Sequence, residues 1–347
     1  MKRERESIFV SAFRTLCKTV AVILGVMIVL VVGAVVLGSF LPIAGGRDAD
    51  HTKLVIAADA EGDKAALPSS APVLLRINIH GPIGSKSFNS RLVDAQLSDS
   101  RKGILKGERV KGILLHIDSP GGTVADSFGI YTSLKRYKEK YGIPVHAYVS
   151  RLCASGGMYV ACSADRIVSS PIAVTGSVGV RMGPCFNVSK LMKVVGIEQT
   201  TLTEGMHKDT LNPFRPWTSD ETDDIRAVLA YDYEMFVNIV AANRPHIDKA
   251  ALVDTYGAKV FDAVTAQRFG YVDASDASYG SALTDLAKVA EIEGKYQVVE
   301  LQNVRPFLAD LVEGASSLLS GRIRHEIAGL SPEGTDLLPG PLYLYSP

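Results

Sequence analysis

With 347 residues, 37 basic side chains against 37 acidic ones and 47% hydrophobic content, the chain can build one large domain or two modest ones around a sizeable core. Its charge balance, without Lys/Arg-rich stripes interleaved with aromatics, argues against nucleic acid as a partner. Four cysteines, Cys17, Cys153, Cys162 and Cys185, make no metal-ligand spacing, and neither a metal nor a cofactor is expected.

Residues 19–41 read TVAVILGVMIVLVVGAVVLGSFL, 23 positions without a charge. As a helix they span roughly 35 Å, against about 30 Å for a bilayer core. Lys2, Arg3, Arg5, Arg14 and Lys18 precede the run, while Arg47, Asp48 and Asp50 follow it. The positive-inside bias puts residues 1–18 in the cytoplasm and those beyond about 43 outside. A cleaved signal peptide would carry a shorter apolar region and a small-residue cleavage site close behind. Leu41-Pro-Ile-Ala-Gly-Gly is a poor site, and 19–41 is read as an uncleaved transmembrane anchor. Cys17 precedes the apolar run, so it is no lipobox cysteine.

Residues 42–72, rich in Ala, Asp, Gly, Ser and Lys, are read as a linker. A strand is expected over 73–79, ended by Gly81-Pro82, then a helix over 89–105. Residues 110–117 form a second strand, apolar enough to be buried on both faces. It runs into Asp118-Ser-Pro-Gly-Gly122 and a helix over 123–140. A third strand, 145–149, leads to Arg151-Leu-Cys-Ala-Ser-Gly-Gly157 and a small-residue helix over 158–164. Short strands follow at 166–169 and 173–180, a helix at 188–195 and a strand at 198–203. A helix is expected from Ser219 and Asp220 to about 243, another over 262–269, a short edge at 271–273, a helix at 283–291 and a strand at 296–301. Residues 307–327 carry an amphipathic helix, with a Pro/Gly-rich tail behind it. Alternating strands and helices predict an α/β domain over 73–301, with 302–347 a C-terminal helix and tail without an assigned role.

Ser155 stands between a strand and a helix with two glycines behind it, a place where serines commonly cap helices and where a nucleophile could also sit. The glycines allow a tight turn and close approach. A serine nucleophile needs a base and an oxyanion hole. Seven histidines are available, His51, His80, His116, His146, His207, His246 and His325, but none lies in a triad context, and no Gly-x-Ser-x-Gly elbow surrounds Ser155. Cys153 and Cys162 read as small buried apolar residues; whether they bridge is a matter of geometry, and no histidine is placed to activate Cys153. The other arrangement is a Ser-Lys dyad, which needs a lysine removed from water. Lys208, in Gly205-Met-His-Lys-Asp-Thr, follows a strand; taken alone it reads as a surface lysine. The Pro-Gly-Gly turn ending at Gly122 offers backbone N–H groups to a carbonyl oxygen, and also reads as a plain strand-to-helix turn.

Five stretches together resemble peptidase family S49, the signal peptide peptidase A and SohB-like membrane-bound serine proteases of bacteria. They are HIDSPGG at 116–122, ASGGMYVACSADRI at 154–167, TGSVGV at 175–180, EGMHKD at 204–209 and KVFDAVTAQRFGYVD at 259–273. The resemblance covers roughly 73–275, and the segment after residue 307 has no match in it. It implies Ser155 as nucleophile, Lys208 as general base and Ser177 as the residue that orients the lysine. It also implies an oxyanion hole at Gly122, with Gly156 the second donor. The implied fold is the crotonase/Clp protease-like spiral of ββα units behind an N-terminal transmembrane helix, in members that assemble as homo-oligomeric rings. The implied function is a serine endopeptidase of the bacterial inner membrane, its catalytic domain periplasmic, cutting remnant signal peptides or other membrane-associated peptides. Two rival readings of the same fold are a non-catalytic scaffold and an acyl-CoA-processing enzyme. The residues Ser155 and Lys208 speak against the first, and the extracytoplasmic orientation against the second.

Overall fold

The computed structural model describes the backbone of residues 8–40, 51–304 and 342–344, and the side chains of 13–29 and 52–303. The elements begin with α1 (Ile8–Phe40), β1 (His51–Ile56), β2 (Val73–His80), α2 (Ser90–Asp99), β3 (Val110–Ser119), β4 (Gly121–Thr123) and α3 (Val124–Tyr141). Next come β5 (Val145–Ala154), α4 (Gly156–Ala161), β6 (Arg166–Ser169), β7 (Val174–Gly176), α5 (Ser189–Val195) and α6 (Asp223–Asn243). The remainder are α7 (Lys249–Ala251), β8 (Val260–Asp262), α8 (Ala263–Phe269), α9 (Tyr279–Val289), β9 (Gln297–Val304) and β10 (Leu342–Leu344).

Eight strands form one sheet in the order β1-β9-β2-β3-β5-β7-β8, with β6 also paired to β5. The centre, β9-β2-β3-β5, is parallel, and the ends β1 and β8 are antiparallel to their neighbours. Alternation along the central strands builds two apolar layers. Leu75, Ile77 and Ile79 of β2 join Ile113, Leu115 and Ile117 of β3 under α2, α3 and α4. Leu74 and Leu114 point to the other face, where Leu283 and Leu286 of α9 cover them. The central strands are therefore buried on both faces, as 110–117 predicts. The fold is mixed α/β.

Local chemistry sets the helix bounds. Asn89 caps α2 through its side chain, Thr123 caps α3, and Asp262 caps α8. Gly142 and Gly270 end α3 and α8 in left-handed conformations. The expected helix over 89–105 is accordingly shorter, with a separate single turn at Gly103–Leu105.

Four expectations need correction. The stretch 42–72 is not linker throughout: β1 lies within it, and β1 pairs with β9 across six residues. Its alternating Thr52, Leu54 and Ile56 are too few to register as a period. Residues 198–203 form no strand; they are exposed and have no sheet edge to pair with. The expected strand over 173–180 shrinks to β7, and Tyr271-Val-Asp273 contributes only an adjacent bridge, Val168 to Ala274. The expected helix over 307–327 and the tail to 341 lie outside the described residues.

Residues 1–49 and 50–347 are two units. In the first, α1 is one unbroken helix of 33 residues. Among the described residues, no helix is long and apolar enough to cross a membrane; the expected span, 19–41, runs past the described side chains of α1, which end at residue 29.

One ion pair, its guanidinium buried and its carboxylate partly buried, ties the second unit together. The Arg244 guanidinium donates to the Gly270 carbonyl (2.9 Å) and to both oxygens of Asp273 (3.0 and 2.7 Å), and the Ile167 N–H donates to the same carboxylate (2.7 Å). Burial acts to raise the Asp273 pKa, but the bonds from Arg244 and Ile167 outweigh it and hold it below its ordinary value of 3.8. A depressed folded-state value gives stability that is present above the unfolded pKa and lost as the pH falls below it. Asp273→Asn leaves the Arg244 charge buried without its counter-charge, at an expected cost of about 3 kcal/mol at neutral pH. Urea midpoints from about pH 7 to about pH 3 check both: the wild type should weaken below about pH 4, and the variant should weaken less.

Candidate active site

Ser155 sits at the end of β5, the strand held between β3 and two successive neighbours, β6 and then β7. Its backbone has φ +55° and ψ −118°, a conformation that costs a non-glycine residue about 1–3 kcal/mol and persists only when surroundings impose it. Here they do. The Ser155 N–H donates to the Gly176 carbonyl at 2.9 Å, and its own carbonyl accepts from the Tyr159 N–H at 3.0 Å. Ser155 stands at the N-cap of α4, yet its side chain makes no capping hydrogen bond. The hydroxyl is thus not spent on the role that serines usually play at such a position. The residue is 1% exposed.

Gly156 and Gly122 meet behind the serine. A Cβ on Gly156 would lie 2.4 Å from Ser127 Oγ, 3.1 Å from Gly122 N and 3.2 Å from Gly121 Cα. A Cβ on Gly122 would fall 1.8 Å from the Ile83 carbonyl oxygen. Gly122 leaves no room for a side chain against the Ile83 backbone, and Gly156 leaves little beside Ser127 and Gly122, so the two backbones come close together. The Ile83 N–H donates to the Gly121 carbonyl (2.8 Å) and the Thr123 N–H to the Ile83 carbonyl (3.0 Å), so both groups face Ile83. Strand alternation turns the Gly122 N–H and C=O to the opposite edge.

Ser177 is adjacent. Gly176 pairs with Ala154, and the Ser177 N–H donates to the Lys259 carbonyl at 2.7 Å. Ser177 is buried and also has positive φ, +56°. The structure therefore brings Ser155, Gly156, Gly122 and Ser177 into one neighbourhood. Lys208 is not among them: it is exposed, and among the described residues no hydrogen bond joins it to Ser155.

Two cysteines and two histidines are closed off by burial. Cys153 and Cys162 are free and fully buried, not bridged. Burial pushes the Cys153 thiol up strongly and the Cys162 thiol up to about 12, which keeps both as inert thiols. His116 is pushed down to about 4 by burial first and by the neighbouring His80 and Arg76 charges, and burial also lowers His146. Among the described residues, no hydrogen bond joins a histidine to Ser155.

Two supports of this site have weak traces in the sequence. Thr123-Val-Ala-Asp126 is a capping-box pattern, and Thr123 Oγ1 donates to Asp126 Oδ2 at 2.7 Å. Asp126 also accepts from the Ser90 N–H (2.9 Å) and Oγ (2.8 Å), which pins β4 to the start of α2; no local pattern announces that partner. The loop beyond Lys208 is held by Arg215, which bonds Asp209 Oδ2 at 2.6 Å and the buried Glu221 carboxylate. The Arg215 hydrogen bonds outweigh desolvation and hold Glu221 down to about 2.

The assembled site offers a free hydroxyl on a strained turn, with two glycine backbones beside it. That is the equipment of acyl transfer. The model of peptidase family S49 matches residues 137–293. A protein of Synechocystis sp. assigned as a protease is 30% identical over 227 residues, covering 64% of this chain and 80% of the relative. An Enterococcus faecium protein assigned as signal peptide peptidase SppA is 29% identical over 256 residues, covering 70% of this chain and 71% of the relative. A Methanocaldococcus jannaschii protein assigned as a protease is 36% identical over 168 residues, covering 48% of this chain and about half, 53%, of its own length. On the family match and the Synechocystis relative, the chain belongs to peptidase family S49 and is a serine endopeptidase.

Proposed function

We propose that the chain is a membrane-anchored endopeptidase whose nucleophile is Ser155 and whose general base is Lys208, acting on apolar peptides such as signal-peptide remnants. The observation that carries the nucleophile is the Ser155 backbone: a strained turn whose hydroxyl caps nothing, beside Gly122 and Gly156. Ser155 Oγ attacks the scissile carbonyl carbon while neutral Lys208 takes the hydroxyl proton. The oxyanion rests on the Gly122 and Gly156 N–H groups. The lysine then gives its proton to the leaving amine, and water, deprotonated by the same lysine, releases the acyl-enzyme. Ser177 orients the lysine.

Lys208 must be brought to Ser155 for this chemistry. It lies in a segment whose apolar side chains face water: Leu202 is 92% exposed and Met206 90%. Large apolar groups left open this way suit coverage by another copy of the chain. Coverage would also strip water from the lysine, the condition under which lysine serves as a base. A ring of copies in the crotonase/Clp protease-like manner meets both needs. The charge-free run 19–41, behind basic residues and carried through residue 40 by the unbroken helix α1, supports an anchor with the catalytic unit on the periplasmic side of a bacterial inner membrane. The signal-peptide substrate is supported by the name of the Enterococcus relative.

The test is a serine-reactive acylating probe on the full chain, read by mass spectrometry. Ser155 is expected to take the label, and Lys208→Ala to slow labelling by about 100-fold, the scale at which a general base contributes. Label on another serine sinks the nucleophile, and an unchanged rate in Lys208→Ala sinks the base.

A further inference from the structure

The single turn Gly103–Leu105, between α2 and β3, is fixed from both sides. The Leu105 side chain is buried and its N–H donates to the Lys102 carbonyl at 3.0 Å. Arg109 donates to the carbonyls of Ile104 (2.7 Å) and Ala71 (2.9 Å). So held, the turn leaves Ile104 62% exposed, with the exposed Lys102 and Lys106 on either side of it. Arg101 joins this turn to the end of α3. Its Nε donates to the Tyr137 hydroxyl at 2.6 Å, and its guanidinium lies 4.0 Å from the centre of the exposed Tyr141 ring. The last two turns of α3 carry Lys135, Arg136, Lys138 and Lys140. Together 99–109 and 135–141 hold eight basic residues against Asp99, Glu108 and Glu139, in a chain without net charge. Lys102 and Lys138 are paired, to Asp99 and Asp165, but among the described residues Lys106, Lys135 and Lys140 make no ion pair. Thr52, at the start of β1, donates to Asp99 Oδ2 at 2.8 Å, so the chain enters its second unit beside this face.

We propose that the 102–106 turn and the end of α3 form a docking surface for an anionic phospholipid bilayer, with Ile104 as its apolar wedge. This rests on the reading of 19–41 as an anchor given above. Such an anchor leaves the catalytic unit a tether of ten residues, 41–50, at most about 35 Å at full extension. An isoleucine between two lysines suits the boundary between acyl chains and headgroups. The apolar group is buried there, the lysine stems lie along it, and their ammonium groups stay with the phosphates. Tyr141, apolar in body and polar at its tip, fits the same level. A protein partner is a poorer match, because the cores of protein interfaces are depleted in lysine. Docking would fix which way the catalytic unit faces the bilayer, a choice that one covalent tether leaves open.

The experiment uses the full chain with Trp217→Phe and Ile104→Trp, which moves its single tryptophan to the turn. It is reconstituted into vesicles of brominated phosphatidylcholine, with or without phosphatidylglycerol. Tryptophan emission is expected to shift to the blue and be quenched by bromine in the anionic vesicles only. Adding Lys106→Gln and Lys140→Gln should lower the docked-to-free ratio about 25-fold, at about fivefold for each basic residue near an anionic surface. High salt should act in the same direction. Hydrogen exchange on the unsubstituted chain gives an independent reading: the amides of 102–107 should exchange more slowly when phosphatidylglycerol is present. Equal emission and equal exchange in the two vesicles, with the chain still floating with both after alkaline extraction, would overturn the docking surface and leave the anchor standing. Emission that follows the protein-to-lipid ratio instead of lipid charge would put a second copy of the chain on this face and overturn it too. A chain that floats with neither vesicle would remove the anchor on which the proposal rests.

Discussion

Ser155→Ala is expected to reduce peptide hydrolysis by about 10⁴-fold or more, because the covalent route is lost and only binding and oxyanion stabilisation remain. Stability should hardly change, since alanine must adopt the same φ of +55° that serine does. Ser155→Gly separates the two effects. It removes the nucleophile equally, but glycine accepts that backbone without steric cost. Relief of about 1–3 kcal/mol of strain, less about 0.5–1 kcal/mol for the greater freedom of glycine in the unfolded chain, leaves a net gain of about 1 kcal/mol. For a domain of this size the midpoint of thermal unfolding should rise by about 2–4 °C. Calorimetry beside a hydrolysis assay checks the pair. A Ser155→Ala that hydrolyses peptide near the wild-type rate would refute the nucleophile, and a Ser155→Gly no more stable than Ser155→Ala would refute the account of the turn.

The largest expected stability effect belongs to Gly122→Ala. The new Cβ would lie 1.8 Å from the Ile83 carbonyl oxygen, 2.5 Å from its carbon and 2.6 Å from its nitrogen. All three are backbone atoms, and no rotamer change can clear them. The Ile83 strand segment must separate from β4, giving up the hydrogen bonds that Ile83 makes with Gly121 and Thr123. A loss of at least about 3 kcal/mol is expected, at the upper end for overpacked sites. Any protein that still folds should have little activity, because Gly122 can no longer stand beside Gly156. Denaturant midpoints give the stability, and hydrolysis by the soluble fraction gives the activity. An unshifted midpoint would mean that the approach of Ile83 to Gly122 is wrong.

The central sheet was legible because its signal is local: β2, β3 and β5 are apolar runs bounded by Gly, Pro and Asp, and their burial on both faces follows from composition. Ser155 was legible as a residue between strand and helix, but the choice between cap and nucleophile was not. That choice depends on whether the hydroxyl bonds its own helix, which only the backbone angles decide. β1 escaped notice because six residues with three apolar positions look like linker until β9, more than 200 positions away, supplies the hydrogen bonds. The strand expected at 198–203 has the opposite history: its composition suits a strand, and no neighbour pairs with it. Asp126 was half-legible, as a capping box with Thr123, while its bonds to Ser90 were not. Lys208 remains as its sequence presented it, an exposed lysine whose role depends on what comes to cover it.

The order in which these parts leave the ribosome has a consequence. Ser155 takes its conformation from Gly176, and the turn after Gly176 is held in turn by the Lys259 carbonyl, just before β8. The proposed nucleophile is made by residue 155, but its setting is not complete until more than a hundred further residues have been synthesised. A nascent or prematurely released chain thus carries the serine without the hydrolase. The topology itself withholds a complete site from a half-made chain.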